Sequence, residues 1–524
     1  MKPLRTSHFL LLSSIGFTVI GQSTFEKIYD ANGVMSAIEL PSQNLLVCMS
    51  GIWGTSILDP EGNILHTKDF GIDTIRAPRK VHQIGANDFY FITAYVKDTC
   101  GSGPQRKSYP LIGRMDSLGT VSNLHYYDLN SDCHNLAWDM EVTASRSVIT
   151  WGGFFTLMVD STGSPVWAKH FTGHGSVAFV RELPGGDLLM GMNMDTAGAV
   201  IARMDAVGNF IWCKSYIRPK GVVHDCLIES DSIFIVTGTT DSLLNSSLFD
   251  PLPPDYHPRL FMMQLNDTGS VQWCVGYSSD PNPWYAGQPS RIERTLDGKY
   301  LVLANLGSAS TNQPYRPFLM KTDQNGDTLW TTSTGTTGYS YLTADLLAAS
   351  DGGFLYSGVI YGNLPWNSLG DPFIFKTDSL GQLPCLNRSH QIDVSPIFPT
   401  DSSFAPISVN GVLEFPAYAT DTVLDPITSY DGCSVLSGMS LMQVRKFRVR
   451  PNPNTGHFHV EFEDPLMAES YYSVFDAMGR LLYQRPLSAG ATMEEVDLSR
   501  FGKGTYAIKL TDPEGVRYER VVLE

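Results

Sequence analysis

Short apolar strands alternate with tight polar turns along most of this chain. One unit recurs: an apolar strand, then Asp-x-x-Gly, then a strand that usually carries an aromatic residue, as in "RMDAVGNFIWCKSY". A second pair of strands with its own tight turn lies between successive copies, as in "VAFVRELPGGDLLMGMNM". Helix-period segments are nearly absent, so each unit supplies four strands. The seven turns begin at Asp59, Asp116, Asp160, Asp205, Asn266, Asp323 and Asp378.

Four strands per unit, repeated radially, are typical of a β-propeller; a β-solenoid is the alternative, although its coils are usually shorter. The seventh unit runs into Pro384 and Cys385, so it lacks an outer strand. Residues 24–29 align with another outer strand, with Phe25 at Trp167. We therefore predict an all-β, seven-bladed propeller over 22–390, closed by 24–29; six or eight blades would follow from a miscounted unit.

The repeated turn allows two interpretations. Its aspartates are candidate metal ligands, but the alternating Asp/Asn ligands of a calcium loop are missing. An Asp before a Gly turn more often accepts backbone hydrogen bonds while the Gly takes a positive φ. We favour this structural interpretation and predict no metal and no cofactor. The repeated tryptophans are predicted to pack between blades; they are Trp167, Trp212, Trp273 and Trp330.

The longest insertions are predicted to open on one face of the ring. In a four-stranded blade, the second-to-third loops and the blade-to-blade loops share a face. The insertions of this set are 96–109, 239–258, 306–315 and 361–371, with blade junctions at 128–135 and 278–288. Variable loops on a rigid scaffold often carry function. Their aromatic residues either bind a sugar or peptide or pin the loops onto the ring; they are Tyr256, Trp284, Tyr285, Tyr315 and Trp366.

The first 21 residues are predicted to be a secretory signal, because Lys2 and Arg5 precede an apolar run that ends near a small-residue cleavage site. Later, no apolar run is long enough for a membrane span. Export permits disulfides among the eight cysteines. Short loops favour the pairs Cys213–Cys226, Cys100–Cys133 and Cys385–Cys433, whereas Cys48 lies in an apolar strand and is predicted to be a core residue.

Residues 391–443 contain few charges and several Pro, Ser and Thr, which predicts a linker with some extended pairing. From 444 the pattern changes to strands separated by turns at Asn454-Thr455-Gly456, Met478-Gly479 and 512–515, typical of a small immunoglobulin-like β-sandwich. Three motifs follow in order. Their residues are Pro451, Asn452, Pro453 and Gly456; Asp476, Gly479 and Arg480; and Gly504 with Tyr506.

These motifs resemble the type A C-terminal sorting domain of the type IX secretion system of Bacteroidota. One difference is the final Glu524, where such domains more often end in a basic residue. The resemblance implies passage from the periplasm across the outer membrane. It also implies partners: the secretion machinery and a sortase-like peptidase that removes the domain. The product would be secreted or held on the cell surface by lipopolysaccharide.

Charge and motifs narrow the function. The formal charge is −16, from 37 basic and 53 acidic residues, so nucleic acid is not an expected partner. No nucleophile elbow, zinc-protease motif, phosphate loop or dinucleotide fingerprint occurs. We therefore favour a monomeric, non-enzymatic propeller that recognises a glycan or protein through its long-loop face. The alternatives are an extracellular glycan hydrolase or lyase, with carboxylates converging from several blades, and a structural surface protein.

Overall fold

The computed structural model of the chain describes a large part of both predicted domains. The described residues are 23–29, 34–49, 54–70, 75–99, 106–129, 135–171, 175–194, 198–218, 221–240, 259–278, 290–308, 313–335, 338–362, 370–389, 392–397, 400–403, 408–410, 413–417, 422–423, 429–431, 447–462, 470–475, 481–512 and 515–523. The chain divides into two compact units, Met1–Cys433 and Ser434–Glu524.

The first unit is a seven-bladed propeller. Each blade has four antiparallel strands in radial order, and the innermost strand of every blade contacts that of the next, so the ring is closed. The N-terminal strand is β1 (Phe25–Tyr29). Blades 1 to 3 contain β2 (Val34–Glu39), β3 (Leu45–Met49), β4 (Gly54–Leu58), β5 (Ile64–Asp69); β6 (Lys80–Gly85), β7 (Asp88–Thr99), β8 (Arg106–Met115), β9 (Val121–Asp128); β10 (Ala137–Val142), β11 (Val148–Gly152), β12 (Phe155–Val159) and β13 (Pro165–Phe171).

Blades 4 to 7 repeat this order, and the last one takes its fourth strand from the N-terminus. β1 pairs with the third strand of blade 7, with Phe25 opposite Lys376. This is the closing strand that the sequence predicts. The strands are β14 (Gly175–Glu182), β15 (Leu188–Met194), β16 (Gly198–Met204), β17 (Phe210–Arg218); β18 (Gly221–Ser230), β19 (Ile233–Thr240), β20 (Arg259–Asn266), β21 (Val271–Ser278); β22 (Arg291–Arg294), β23 (Tyr300–Ser308), β24 (Gln313–Thr322), β25 (Thr328–Thr334); β26 (Ser340–Ala348), β27 (Phe354–Tyr361) and β28 (Asp371–Thr377).

The segment after blade 7 runs once around the outside of the propeller. Its short strands pair with the outer strands of blades 6, 5, 4, 3, 2, 1 and 7, in that order, and give every blade a fifth strand. We call it the girdle; it consists of β29 (Asn387–Ser389), β30 (Asp393–Pro396), β31 (Thr400–Ser403), β32 (Ser408–Asn410), β33 (Leu413–Ala417), β34 (Thr422–Val423) and β35 (Ser429–Asp431). The segment predicted as a linker over 391–443 thus belongs to the propeller sheets as far as Asp431.

The Asp-x-x-Gly turns have the backbone role that the sequence predicts. In the turn that begins at Asp205, Oδ1 of this residue accepts N–H bonds from Val207 and Asn209, and Gly208 has a φ of +84°. The other six turns repeat these two bonds and the positive φ of the glycine. Because both bonds go to backbone N–H groups, the Asp or Asn side chain holds the hairpin together.

Aromatic residues of most outer strands contact the turn of the next blade. The indole of Trp212 lies against Gly269 of blade 5, and its Nε1 donates to the carbonyl of Asp267 at 2.8 Å. Tyr216 Oη donates to the carbonyl of Gly269 at 2.6 Å. Trp167, Trp273 and Trp330 lie against equivalent glycines. The repeated tryptophans therefore pack between blades, as predicted, and the apolar core likewise lies between neighbouring blades.

The cysteines correct one predicted disulfide. Cys213 and Cys226 are free and buried, because Cys213 lies on the outer strand of blade 4 whereas Cys226 lies on the inner strand of blade 5. Proximity along the chain therefore does not bring their sulfur atoms together. Cys48 is a buried core residue, as predicted. Cys100, Cys133 and Cys433 lie outside the described residues, so the other two pairs stay predictions.

The second unit contains two antiparallel sheets. One has the order β36-β37-β40 and the other β39-β38-β41-β42. Apolar side chains from both sheets form one core, which includes Phe458, Tyr472 and Ile508. The strands are β36 (Phe447–Arg450), β37 (His457–Phe462), β38 (Ser470–Phe475), β39 (Leu481–Leu487), β40 (Met493–Asp497), β41 (Gly504–Asp512) and β42 (Gly515–Leu523).

Candidate functional site

The two ends of the propeller differ in their connections. Turns of two to five residues close one end, which we call the turn face. The second-to-third loops and the blade junctions open at the other end, the loop face. Two predicted insertions there are largely strand: β7 and β8 extend through much of 96–109, and β23 and β24 through much of 306–315.

Of the five predicted ligand residues, Tyr315 is described. It is partly buried near the start of β24, its ring lies against Gly307, and its backbone N–H donates to Ser340 Oγ of blade 7 at 3.1 Å. Tyr256, Trp284, Tyr285 and Trp366 lie outside the described residues. Their role in ligand binding therefore stays a prediction.

The exposed aromatic side chains and most of the exposed aliphatic side chains lie at opposite faces of the propeller. Within the described part of the propeller, the exposed aromatic residues are Trp138, Phe154 and Tyr361, with 45%, 36% and 40% of their surface accessible, and all three lie at the loop face. Most of the exposed aliphatic residues lie at the turn face; they are Leu65, Leu118, Val166, Val207, Ile211, Ile233, Leu296, Leu329 and Leu380. Aromatic surface is therefore concentrated where the variable loops are.

Trp138 and Phe154 lie at the same edge of blade 3, and we call these two exposed residues the blade 3 platform. Ala137 pairs with Gly152 and Asp139 with Trp151, so Trp138 is the extra residue of a β-bulge. Bulges redirect side chains and are common beside binding sites. Gly153 follows in the facing loop, and two ring carbons of Trp138 lie 3.9 Å from the position that a Cβ on this glycine would take. The next residue is Phe154, so both rings lie at the same edge of the blade.

The surroundings of the platform are already packed and paired. Phe154 packs against His170, with ring centroids 6.4 Å apart. The carbonyls of Gly153 and Phe154 accept bonds from the N–H groups of Val177 and Phe171, at 3.1 and 2.7 Å. The apolar crevice between blades 3 and 4, lined by Phe154, Phe171, Val177, Met192 and Met194, is too narrow for a water molecule. The platform therefore offers aromatic faces rather than a cavity.

The sequence pattern did not indicate Trp138 or Phe154, because neither residue lies in a long insertion. The bulge that exposes Trp138 depends on the pairing of β10 with β11, which a single strand does not reveal. A detectable signal was Asp139, since an Asp also directly follows the extra residue of the bulge at Asp225 and Asp345 of other inner strands.

A second cluster of polar residues lines the central channel. The strand registers place one residue of each blade at a common level, with three aspartates, one lysine and one arginine among them. In blade order these residues are Ser36, Lys80, Asp139, Phe179, Asp225, Arg291 and Asp345. Two positions further along the strands lie His82, Glu141, Arg181 and Glu293. Carboxylates and basic groups thus converge here from several blades.

Ion pairs join different blades through this channel cluster. Lys80 Nζ lies 2.8 Å from Asp345 Oδ1, which links blades 2 and 7. Arg291 Nη1 lies 2.9 Å from Asp139 Oδ2, which links blades 6 and 3 across the channel. The third basic residue is Arg181 of blade 4; its Nη2 lies 2.5 Å from Asp225 of blade 5 and its Nη1 lies 3.7 Å from Glu141 of blade 3.

The same charges contribute to very different pKa values of two channel carboxyls. Burial alone would raise the pKa of Asp139, but the positive charges of Lys80, Arg291 and Arg181 lower it to about 2. Burial raises the pKa of Glu293 to about 7, and the negative charges of Asp225 and Asp345 act in the same direction against Lys80 and Arg181. One carboxyl is therefore ionised at neutral pH while another is close to half protonated.

The first motif of the C-terminal unit, at residues 451–456, is joined to the last strand by hydrogen bonds. Asn452 Oδ1 accepts the backbone N–H of Val522 at 2.9 Å, and the N–H of Asn454 donates to the carbonyl of Val522, also at 2.9 Å. The side chain of Asn454 accepts the Gly456 N–H and donates to the Pro451 carbonyl. Cis peptide bonds precede Pro451 and Pro453.

The other two motifs are only partly described. Tyr506 is buried, and its hydroxyl donates to the carbonyl of Gly502 at 2.6 Å. Gly504 begins β41. Asp476, Gly479 and Arg480 lie outside the described residues. The described motif residues therefore fix the loop at 451–456, the last strand and the start of β41.

Among the described residues, no group of three or more His, Cys, Asp or Glu side chains is arranged to hold a metal ion. The described parts of the chain also contain no helix with the length and apolar character needed to cross a membrane.

Comparisons with known proteins identify the C-terminal unit. Residues 448–524 match the family model described as the secretion system C-terminal sorting domain. Among solved structures, the chain is similar to the WD40 domain of Neurospora crassa Pan2, with 11% identity and a TM-score of 0.41, over 66% of this chain and 89% of that one. It is also similar to a protein of unknown function from Bacteroides caccae, with 10% identity and a TM-score of 0.32, over 48% of this chain and 94% of that one. No curated protein matches the sequence significantly.

The propeller is thus followed by a type IX sorting domain, as the sequence motifs predicted. This domain directs export of the chain to the cell surface or the extracellular space.

Proposed function

We propose that this exported propeller recognises a glycan or a protein through its loop face, without catalysing a reaction. The observation that carries the proposal is the blade 3 platform, where Trp138 and Phe154 expose aromatic surface beside the variable loops. Exposed aromatic residues that are held rigidly by a scaffold are frequent centres of recognition. Tyr256, Trp284, Tyr285, Tyr315 and Trp366 would extend this surface from neighbouring loops.

The export route adds finer proposals. The producing organism is a member of the Bacteroidota, residues 1–21 are its secretory signal, and a sortase-like peptidase removes the sorting domain at the cell surface. A disulfide between Cys385 and Cys433 would close the girdle. In support of this pair, the N–H of Cys385 donates to Glu26 Oε1 at 3.1 Å, and Glu26 lies on β1, the strand that pairs with the end of the girdle.

The test is a glycan array and a peptide array, both probed with the chain from residue 22 to residue 524. We expect binding without turnover that decreases in Trp138→Ala. The matched control is Leu296→Ala, which also removes a large exposed side chain but lies at the turn face. Binding that both variants retain unchanged would contradict recognition at the platform. Mass spectrometry of each bound glycan detects turnover.

A second candidate, a glycan hydrolase or lyase, is favoured by one observation in the channel. Glu293 and Asp139 have pKa values of about 7 and about 2, and such a separation distinguishes an acid from a base. In this alternative Glu293 is the general acid. Turnover of any glycan that is lost in Glu293→Gln and retained in Trp138→Ala would favour the enzyme over the binding protein.

A further inference from the structure

The shape of the blade 3 platform restricts what it binds. A protein partner commonly inserts a side chain into a preformed pocket at the centre of an interface. Here the crevice beside Phe154 is too narrow even for water. Two ring carbons of Trp138 lie 3.9 Å from the position that a Cβ on Gly153 would take, and 45% of the surface of this side chain is accessible. A ligand that stacks on this surface fits better than one that inserts an anchor.

The backbone around the platform argues against an extended peptide. Peptides that add a strand to a sheet bind through free N–H and C=O groups at its edge. The carbonyls of Gly153 and Phe154 already accept bonds from Val177 and Phe171 within the propeller. At the outer edge of blade 3, residues 169–171 are covered by the girdle strand β32. These two carbonyls and this outer edge are therefore not free to bind a peptide strand.

Charge restricts the ligand further. The chain carries a formal charge of −16, so its field opposes the approach of acidic polysaccharides. The two rings of the platform are uncharged and bind through their faces. The apolar C–H face of an uncharged sugar ring can cover an aromatic face, while its hydroxyl groups remain in water.

We infer that the blade 3 platform binds an uncharged polysaccharide by stacking sugar rings on Trp138 and Phe154. This inference rests on the proposed function and narrows it to one class of ligand. Sugar rings that follow one another along a polysaccharide can occupy the two aromatic faces in turn. The affinity then depends on both rings, and loss of either weakens binding without changing the fold.

The test uses the chain from residue 22 to residue 524 with 5-fluorotryptophan in place of tryptophan. The ¹⁹F resonance of Trp138 is assigned by its absence in Trp138→Phe, and that of buried Trp151 serves as an internal control. The uncharged probes are cellohexaose, laminarihexaose and mannohexaose. The competing probes are oligogalacturonic acid and the peptide acetyl-Gly-Leu-Gly-Leu-Gly-amide.

We expect an uncharged oligosaccharide to shift the Trp138 resonance in a saturable way. Phe154→Ala should raise its Kd about tenfold, a typical loss for one stacked aromatic contact, whereas Leu296→Ala should leave the Kd unchanged. If only the acidic probe or the peptide shifts the resonance, the inference is overturned and recognition by the platform stands. If no probe shifts it and the arrays show no binding dependent on Trp138, both the inference and the proposed function are overturned.

Discussion

Gly269, in the turn of blade 5, combines two constraints on one residue. Its φ is +72°, which disfavours any residue with a Cβ, and an added Cβ would lie 2.7 Å from the ring of Trp212. Gly298 has a nearly equal φ of +71°, but a Cβ there would meet nothing within 4 Å. Substitutions at these two glycines can therefore be compared. The one at Gly298 measures backbone strain alone, and the one at Gly269 adds the cost of moving Trp212.

We expect Gly298→Ala to destabilise the propeller by about 1–2 kcal/mol, the cost of a left-handed residue. Gly269→Ala should cost about 1–3 kcal/mol more, because the tryptophan must move. Differential scanning calorimetry of the propeller transition measures both changes. Equal costs for the two variants would show that the indole adapts and that the clamp is not rigid.

The channel carboxyl Glu293 predicts a pH dependence of stability. Its pKa in the folded protein is about 7, above its ordinary value of 4.5, so folding favours the protonated form. The stabilisation from this group is complete below about pH 4.5 and is lost as the pH rises through 7. Glu293→Gln stays neutral throughout. The melting temperature of this variant should thus exceed the wild-type value by clearly more at pH 8 than at pH 5.

The charges that act on the Glu293 pKa are those of Asp225 and Asp345, which raise it, and of Lys80 and Arg181, which lower it. The control is Glu61→Gln, which removes an exposed carboxyl in a turn of blade 1 and should give no such divergence. A difference between Glu293→Gln and wild type that is the same at pH 5 and pH 8 would contradict the raised pKa.

At the scale of the element, one apolar residue of the girdle packs on the propeller core and can be tested. Ile397 follows β30, donates its N–H to the carbonyl of Cys274 at 2.9 Å, and packs against the core beside Gly276. Ile397→Asp should lower the free energy of unfolding by about 1–3 kcal/mol, because a partly buried apolar side chain that packs on the core is exchanged for a charged one.

The control for this variant lies three residues earlier. Val394 is on β30 itself, but about half of its surface is exposed. Val394→Asp should therefore change the stability by less than about 0.5 kcal/mol. If urea unfolding gives the same small effect for both variants, Ile397 does not anchor the girdle to blade 5.

The closing strand was predictable from sequence, whereas the girdle was not. β1 repeats the outer-strand pattern, with Phe25 in the place of a tryptophan, and blade 7 otherwise lacked a fourth strand. The girdle strands have two to five residues, and each pairs with an outer strand far away in the sequence. Such short, polar segments carry little periodicity, so their pairing depends on the completed ring rather than on local pattern.

The candidate site likewise has features that could be predicted from the sequence and features that could not. The clamping role of Trp212 followed from its place in the repeat. The exposure of Trp138 did not, because it depends on how β10 and β11 pair around a bulge. The ion pair of Arg291 with Asp139 joins blades 6 and 3, and only ring closure brings these two residues together.

For the whole molecule, the girdle determines where the chain can be shortened without damage to the propeller. Seven outer strands would present free edges without it, and exposed edges pair with other chains. We expect the chain 22–440 to retain the melting temperature of the propeller transition seen in 22–524, since the two units divide after Cys433.

A chain ending at residue 386 keeps all four strands of every blade but loses the girdle. It should therefore aggregate or melt at a clearly lower temperature than 22–440. Light scattering and calorimetry on the three chains distinguish the cases. A soluble, monomeric 22–386 with an unchanged transition would show that the four-stranded blades suffice and that the girdle only connects the propeller to its sorting domain. If 22–386 aggregates while 22–440 does not, then a cut before the girdle would destroy the propeller, whereas removal of the sorting domain after Cys433 would release it intact.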